Sequence, residues 1–157
     1  MNSEGQRIRR TLIHDLCDNC RYQTNPTQSD FDHDSEGDAC DLNDGLIFEW
    51  RDDKTSVSWQ AEQGPTEWNV YTGDLAVLRL TGVYTQAPGS NALANRQCHL
   101  ATTVALDTND PAPGSKSFTL VRGVTAGVEG SLGSGSSGAR ANHEPLSLNC
   151  PGTASPL

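Results

Sequence analysis

The segment DLCDNCRYQTNPTQSDFDHDSEGDACDLND, residues 15–44, sets nine carboxylates against one cation, Arg21. Within it Asp30, Asp32, Asp34 and Asp38 recur at spacings of two, two and four. Carboxylates at this density repel one another, and the few apolar side chains here cannot offset the entropy of ordering the backbone. The spacing suits a hard dication, because Ca²⁺ takes six to eight oxygen ligands at about 2.3–2.6 Å. A twelve-residue calcium loop uses positions 1, 3, 5, 7, 9 and 12. Started at residue 30, those positions hold Asp30, Asp32, Asp34, Glu36, Asp38 and Asp41. Glu36 would supply its backbone carbonyl, and Asp41 is a short substitute for the usual bidentate carboxylate. Position 6 favours glycine for a sharp turn, and here it is Ser35. Left-handed backbone at a non-glycine residue costs about 1–2 kcal/mol, so either the turn is adjusted or affinity falls. His33 occupies a non-ligand position and reads as solvated. His14, His99 and His143 read as scattered surface residues.

The flanks exclude a helix–loop–helix hand. Upstream, CRYQTNPTQS contains Asn-Pro and no helical apolar period; downstream, ACDLNDG is turn chemistry. Five cysteines (Cys17, Cys20, Cys40, Cys98 and Cys150) allow two bridges and one leftover thiol. Cys17-x-x-Cys20 opens a zinc or a redox reading. No second C-x-x-C or paired histidine follows to complete a zinc site, and the residues after Cys20 lack the βαβ context of a thioredoxin motif. Structural disulfides in an oxidising compartment fit better. A disordered acidic linker competes on composition alone; the register of the acidic positions with Cys20 and Cys40 argues against it.

The string CDNCRYQTNPTQSDFDHDSEGDACD resembles the thrombospondin type 3 repeat: acidic positions, cysteines and the Asn25-Pro26-x-Gln28 spacer fall in register over residues 15–44. Arg21 replaces the usual proline and Ser35 the usual glycine. The resemblance implies an extended, calcium-saturated repeat with little regular secondary structure, closed by a Cys20–Cys40 disulfide. In the same register Asp15, Cys17 and Asp18 look like the end of a preceding repeat. Its opening acidic positions would fall near Arg7 and Arg9, so that earlier site is lost and Cys17 lacks its upstream partner. Cys98 and Cys150 are then the remaining pair, although Cys150 sits in a Pro-containing tail.

Outside this segment the charge is mild. Residues 1–14 sum to +2, residues 15–44 to −8 and residues 45–157 to −3. Acidity so concentrated argues against a nucleic-acid partner. No run approaches the roughly 20 apolar residues of a membrane span. The basic N-terminus lacks the apolar stretch of a signal peptide, which agrees with the cysteines if the chain is a fragment of a secreted protein or its start is misassigned. A hydrophobic content of 34% with 15 glycines is thin for a helical core and ordinary for a β-domain. LIFEW (46–50), SVSWQAE (56–62), EWNVYTGDL (67–75), HLATTVAL (99–106) and SFTLVRGVTAG (117–127) read as strands. Val57 and Trp59 point inward, and Trp50, Trp59 and Trp68 supply core bulk. Residues 76–97 are ambiguous between a helical turn and a strand, and residues 129–143 could hold a weak edge strand. Strands at this spacing predict an all-β sandwich.

WNVYTGDL followed by DPAPGSKSFTLVRGVTAGVEGSLG resembles the fibronectin type III-like domains of secreted bacterial proteins, over about residues 46–140. Trp68 stands for the usual tyrosine and Val128-Glu129-Gly130 for Gly-Glu-Gly. The resemblance implies a seven-strand sandwich serving as spacer or adhesion module, with no catalytic residues. G-x-S-x-G, H-E-x-x-H and P-loop motifs are absent, so no enzyme is expected. The expected organisation is a basic, disordered segment at 1–14, a calcium-binding repeat at 15–44, an immunoglobulin-like sandwich at 45–143 and a tail at 144–157. The expected function is that of an extracellular, calcium-rigidified spacer that engages cell-surface or matrix components. The alternative is an accessory region of a secreted hydrolase that docks carbohydrate through exposed, coplanar tryptophans.

Overall fold

The computed structural model describes residues 17–31, 33–51, 53–135, 138–139 and 149–154. The basic segment 1–14, Asp15, Asp32, His143 and most of the 144–157 tail lie outside the described residues. The chain divides into two compact units, Met1–Leu46 and Ile47–Leu157.

In the first unit the described residues form turns and bends, with no helix or strand among them. The Cys20–Cys40 disulfide spans it, with the two Cα atoms 5.6 Å apart.

The second unit is a β-sandwich. Strands β1 (Glu49–Trp50), β2 (Ser56–Trp59) and β5 (Val104–Leu106) form one antiparallel sheet in the order β1-β2-β5. Strands β4 (Asn95–Leu100), β3 (Glu67–Asp74), β6 (Ser117–Thr125) and β7 (Val128–Glu129) form the other in the order β4-β3-β6-β7. Seven short strands in two such sheets make a fibronectin type III/immunoglobulin-like sandwich. A separate ribbon pairs β8 (Ser134–Gly135) with β9 (Gly138–Ala139). Period-two alternation builds the core. Val57 and Trp59 on β2 and Ala105 on β5 face Trp68 and Val70 on β3 and Val121 on β6. The two indoles meet at 6.3 Å, tilted by 58°.

Four expectations change. Trp50 is 47% exposed and contributes no core bulk, because β1 is only two residues long and both are exposed. HLATTVAL is two strands in different sheets: a bend at 101–103 ends β4 and sends the chain to β5, so the apolar run hides a sheet switch. The ambiguous stretch resolves into the helix α1 (Leu75–Thr81) and a loop leading to β4. Asp74 Oδ1 caps α1 by accepting from the Ala76 and Val77 amides, and Gly82 stops it at φ 71°. The fourth change is at the C-terminus, where residues 149–154 are docked as a strap.

Ala154 makes a parallel bridge to Val128, with Glu129 N–H donating to Ala154 O and Ala154 N–H to Gly127 O. The Cys98–Cys150 disulfide pins the strap to β4. A bulge aims this anchor: β3 pairs Trp68 with Leu100 and Val70 with Gln97, so Cys98 and His99 together oppose Asn69. His99 takes the left-handed conformation at φ 55°, and such a bulge redirects side chains away from the regular pleat. His99 is no idle surface residue: Nδ1 lies 2.8 Å from Glu67 Oε2 and Nε2 lies 2.8 Å from Pro151 O.

Away from the apolar core, the second sheet buries a polar network. Glu129 accepts from Asn69 Nδ2, the Tyr71 hydroxyl and Arg122, and Arg122 Nε and a terminal nitrogen also donate to Gly130 O. Tyr71 OH in turn accepts the Cys150 amide at 2.9 Å. Burial, followed by the Glu129 carboxylate, pushes the Tyr71 hydroxyl far above the ordinary phenol range. This network ties β3, β6, β7 and the strap together.

Candidate metal centre

Among the described residues of the first unit, a knot of side-chain amides stands where an apolar core would. Gln28, at φ 50°, accepts the Asn19 amide on Oε1 at 3.0 Å. Its Nε2 reaches Asp18 Oδ1 at 3.0 Å and Asn25 Oδ1 at 2.8 Å. Asn25, buried, donates to Asn19 Oδ1, and Asn19 Nδ2 reaches the carbonyls of Gln28 and Ser29. These bonds satisfy the polar groups that a chain without ladders would otherwise leave orphaned. The Asn25-Pro26-x-Gln28 spacer was visible in the sequence, but its role as the centre of the unit was not.

The knot frames the acidic loop. Asp38 N–H donates to Ser29 O and Gly37 N–H to Asn19 O, each at 3.0 Å, bringing the end of the loop back to its start. Gly37 sits where no side chain fits. A Cβ there would lie 2.5 Å from Asn19 Oδ1 and 2.8 Å from Cys20 Sγ. Gly37→Ala is therefore expected to destabilise this unit by about 1–3 kcal/mol, the usual range for overpacking. Faster amide exchange across residues 17–46, with β3 and β6 unchanged, would register that loss.

Within the loop the carboxylates divide. Asp38, buried, turns Oδ1 back to accept the Phe31 amide at 2.6 Å. Asp30 Oδ2 accepts the Ser35 amide at 3.1 Å, while its Oδ1 is buried with no hydrogen-bond partner. Asp41 is 1% exposed, with Oδ1 on the Asn43 amide at 2.9 Å. Asp34 and Glu36 are exposed, and Asp34 Oδ1 accepts the Glu36 amide. Asp32, the central position, lies outside the described residues. Among the described residues no group of three or more acidic, histidine or cysteine side chains is gathered as a metal cluster. Asp30 and Asp38 thus turn into the loop, and Asp34 and Glu36 remain at its surface.

Ser35 has φ 83°, so the turn keeps its left-handed corner despite the missing glycine. Cys17 is the free, exposed cysteine, and Cys17–Cys20 is not a bridge. The tryptophans form no coplanar exposed platform, since Trp59 and Trp68 are buried and tilted and Trp50 alone is exposed.

No family model matches the chain, and no curated protein matches it. A solved structure similar to it is that of a Fn3-like protein from Clostridium thermocellum, at 19% identity and a TM-score of 0.33. The match covers 54% of this chain and 76% of that one.

Proposed function

We propose that residues 15–44 are a calcium-binding repeat of the thrombospondin type 3 kind and that the chain is an extracellular, non-catalytic spacer or adhesion module. The observation that carries this is the loop's inward chemistry: Asp30 presents a buried, unpartnered Oδ1, and the Asp38 carboxylate folds back to residue 31 beside it. An acceptor without a donor in such a place costs about 1–3 kcal/mol unless a cation satisfies it. Asp32, Asp34, the Glu36 carbonyl and Asp41 complete the donor set by register. All are hard oxygens, the class that Ca²⁺ takes and soft metals avoid. When bound, the ion supplies charge neutralisation, and its binding free energy becomes folding free energy for a segment whose described residues form no apolar cluster. Partners on a cell surface or in a matrix fit the spacer role. The buried, tilted Trp59–Trp68 pair weighs against carbohydrate docking.

Calorimetric titration of chelator-stripped protein tests the proposal. Saturable Ca²⁺ binding is expected, weakened at least tenfold (about 1.4 kcal/mol) by Asp32→Ala with Asp34→Ala. Ser35→Gly should tighten it by about 1 kcal/mol through relief of the left-handed strain. Chelation should speed amide exchange in residues 21–41 and leave Ser56–Trp59 and Ser117–Thr125 protected. Equal heats in wild type and the double variant would refute the assignment.

A further inference from the structure

Among the described residues, three titratable side chains of the sandwich meet the C-terminal strap: Arg96 donates to Asn149 O, Tyr71 accepts the Cys150 amide, and His99, the type that ordinarily changes charge near neutral pH, lies against Pro151 O. His99 faces two acceptors that cannot donate: the Glu67 carboxylate from β3 at Nδ1 and the Pro151 carbonyl from the strap at Nε2, both at 2.8 Å. A neutral imidazole carries one N–H and can satisfy one of them; an imidazolium satisfies both. We propose that His99 is a proton-operated latch on the strap, closed when the ring is protonated and open towards Pro151 when it is neutral. The neutral ring has a choice of contact, and the Glu67 carboxylate is the stronger acceptor for the single remaining proton. Pro151 is then the contact released.

The charges around the ring favour the closed form. Glu67 contributes most, then the Pro151 carbonyl, with Glu129 of β7 adding a smaller attraction, and together they raise the His99 pKa above its ordinary 6.5. From the strap side the neighbour is the backbone of Gly152, which brings no charge. From β3 the Asn69 side-chain oxygen accepts the His99 amide and holds the bulge in either protonation state. Because the folded pKa is raised, the latch's contribution is complete below the unfolded value and is lost as pH rises through the folded one. The Cys98–Cys150 disulfide and the Tyr71 contact hold residue 150 throughout. Release is therefore confined to residues 151–154, and what it uncovers is the edge of β7 now paired with Ala154.

Ring ¹⁵N shifts of His99 and amide exchange of Ala154 and Glu129, corrected for intrinsic rates, test this on the intact chain from acid to mildly alkaline pH. Exchange of the Ala154 amide should accelerate with the same midpoint as the His99 ring, above 6.5. Glu67→Gln should lower both midpoints together, and His99→Gln should make Ala154 exchange independent of pH. Flat Ala154 protection across the His99 titration would overturn the latch. So would an unchanged exchange transition in His99→Gln, which would place the titrating group elsewhere.

Discussion

Arg122→Met is expected to lower the unfolding free energy of the sandwich by about 3–5 kcal/mol, the cost of leaving one member of a buried ion pair alone. The pair qualifies because neither side chain reaches water: Arg122 is 2% exposed and Glu129 0%. Glu129 would retain two neutral donors, Asn69 and Tyr71, which stabilise a carboxylate less than a guanidinium does. Gly130 O would lose both of its arginine donors. Urea denaturation followed by the fluorescence of the buried Trp59 and Trp68 measures the loss. Adding Glu129→Gln should recover part of it, since the orphaned charge is then gone. A loss under about 1 kcal/mol, the range of exposed ion pairs, would mean that water reaches this network.

Removing the Cys98–Cys150 bridge is the second large effect. Its ends are 52 residues apart, and the chain-entropy treatment gives about 4 kcal/mol for a loop of that length. A domain of this size has about 5–15 kcal/mol in total, so Cys98→Ala with Cys150→Ala should leave a marginal fold. The effect should exceed that of opening Cys20–Cys40, whose separation of 20 residues corresponds to about 3 kcal/mol. The strap should also loosen, because Tyr71 loses the fixed position of the Cys150 amide. Thermal unfolding of the double alanine variant checks the first point. Exchange at Ala154 checks the second, and unchanged protection there would show that the bridge is not what seats the strap.

Much of the sandwich was legible because buried strands advertise themselves by alternation. SVSW and EWNVYTGD place Val57, Trp59, Trp68 and Val70 at period two, and these form the core. Asn69 and Tyr71 on β3 and Arg122 on β6 sit at the opposite phase to the core residues, and with Glu129 they form the buried polar network, which the alternation does not announce. Their partners come from separate strands, and the Tyr71 hydroxyl also meets the Cys150 amide from a segment far along the chain, which no local pattern encodes. Of the strap, the Cys98–Cys150 pairing was legible from the cysteine count, but the edge pairing of Ala154 with Val128 was not, because its polar, Pro- and Gly-containing residues read as a tail and carry no hydrophobic periodicity. In the acidic unit the candidate ligands were readable as a spacing. The amide knot was not, since Gln28 acquires its role only when Asp18, Asn19 and Asn25 fold around it.

That knot gives the first unit an unusual response to temperature. Unfolding raises heat capacity where apolar surface meets water and lowers it where amides do. The described residues of that unit enclose glutamine, asparagine and backbone groups, with Tyr22 and Phe31 already exposed, so they bring little of the first contribution and an ample share of the second. Its heat-capacity change on unfolding should be close to zero. Its stability would then vary almost linearly with temperature, without the low-temperature downturn that an apolar core imposes on the sandwich. The two units should therefore differ in how their stability depends on temperature, with a cold-side downturn expected in the sandwich alone.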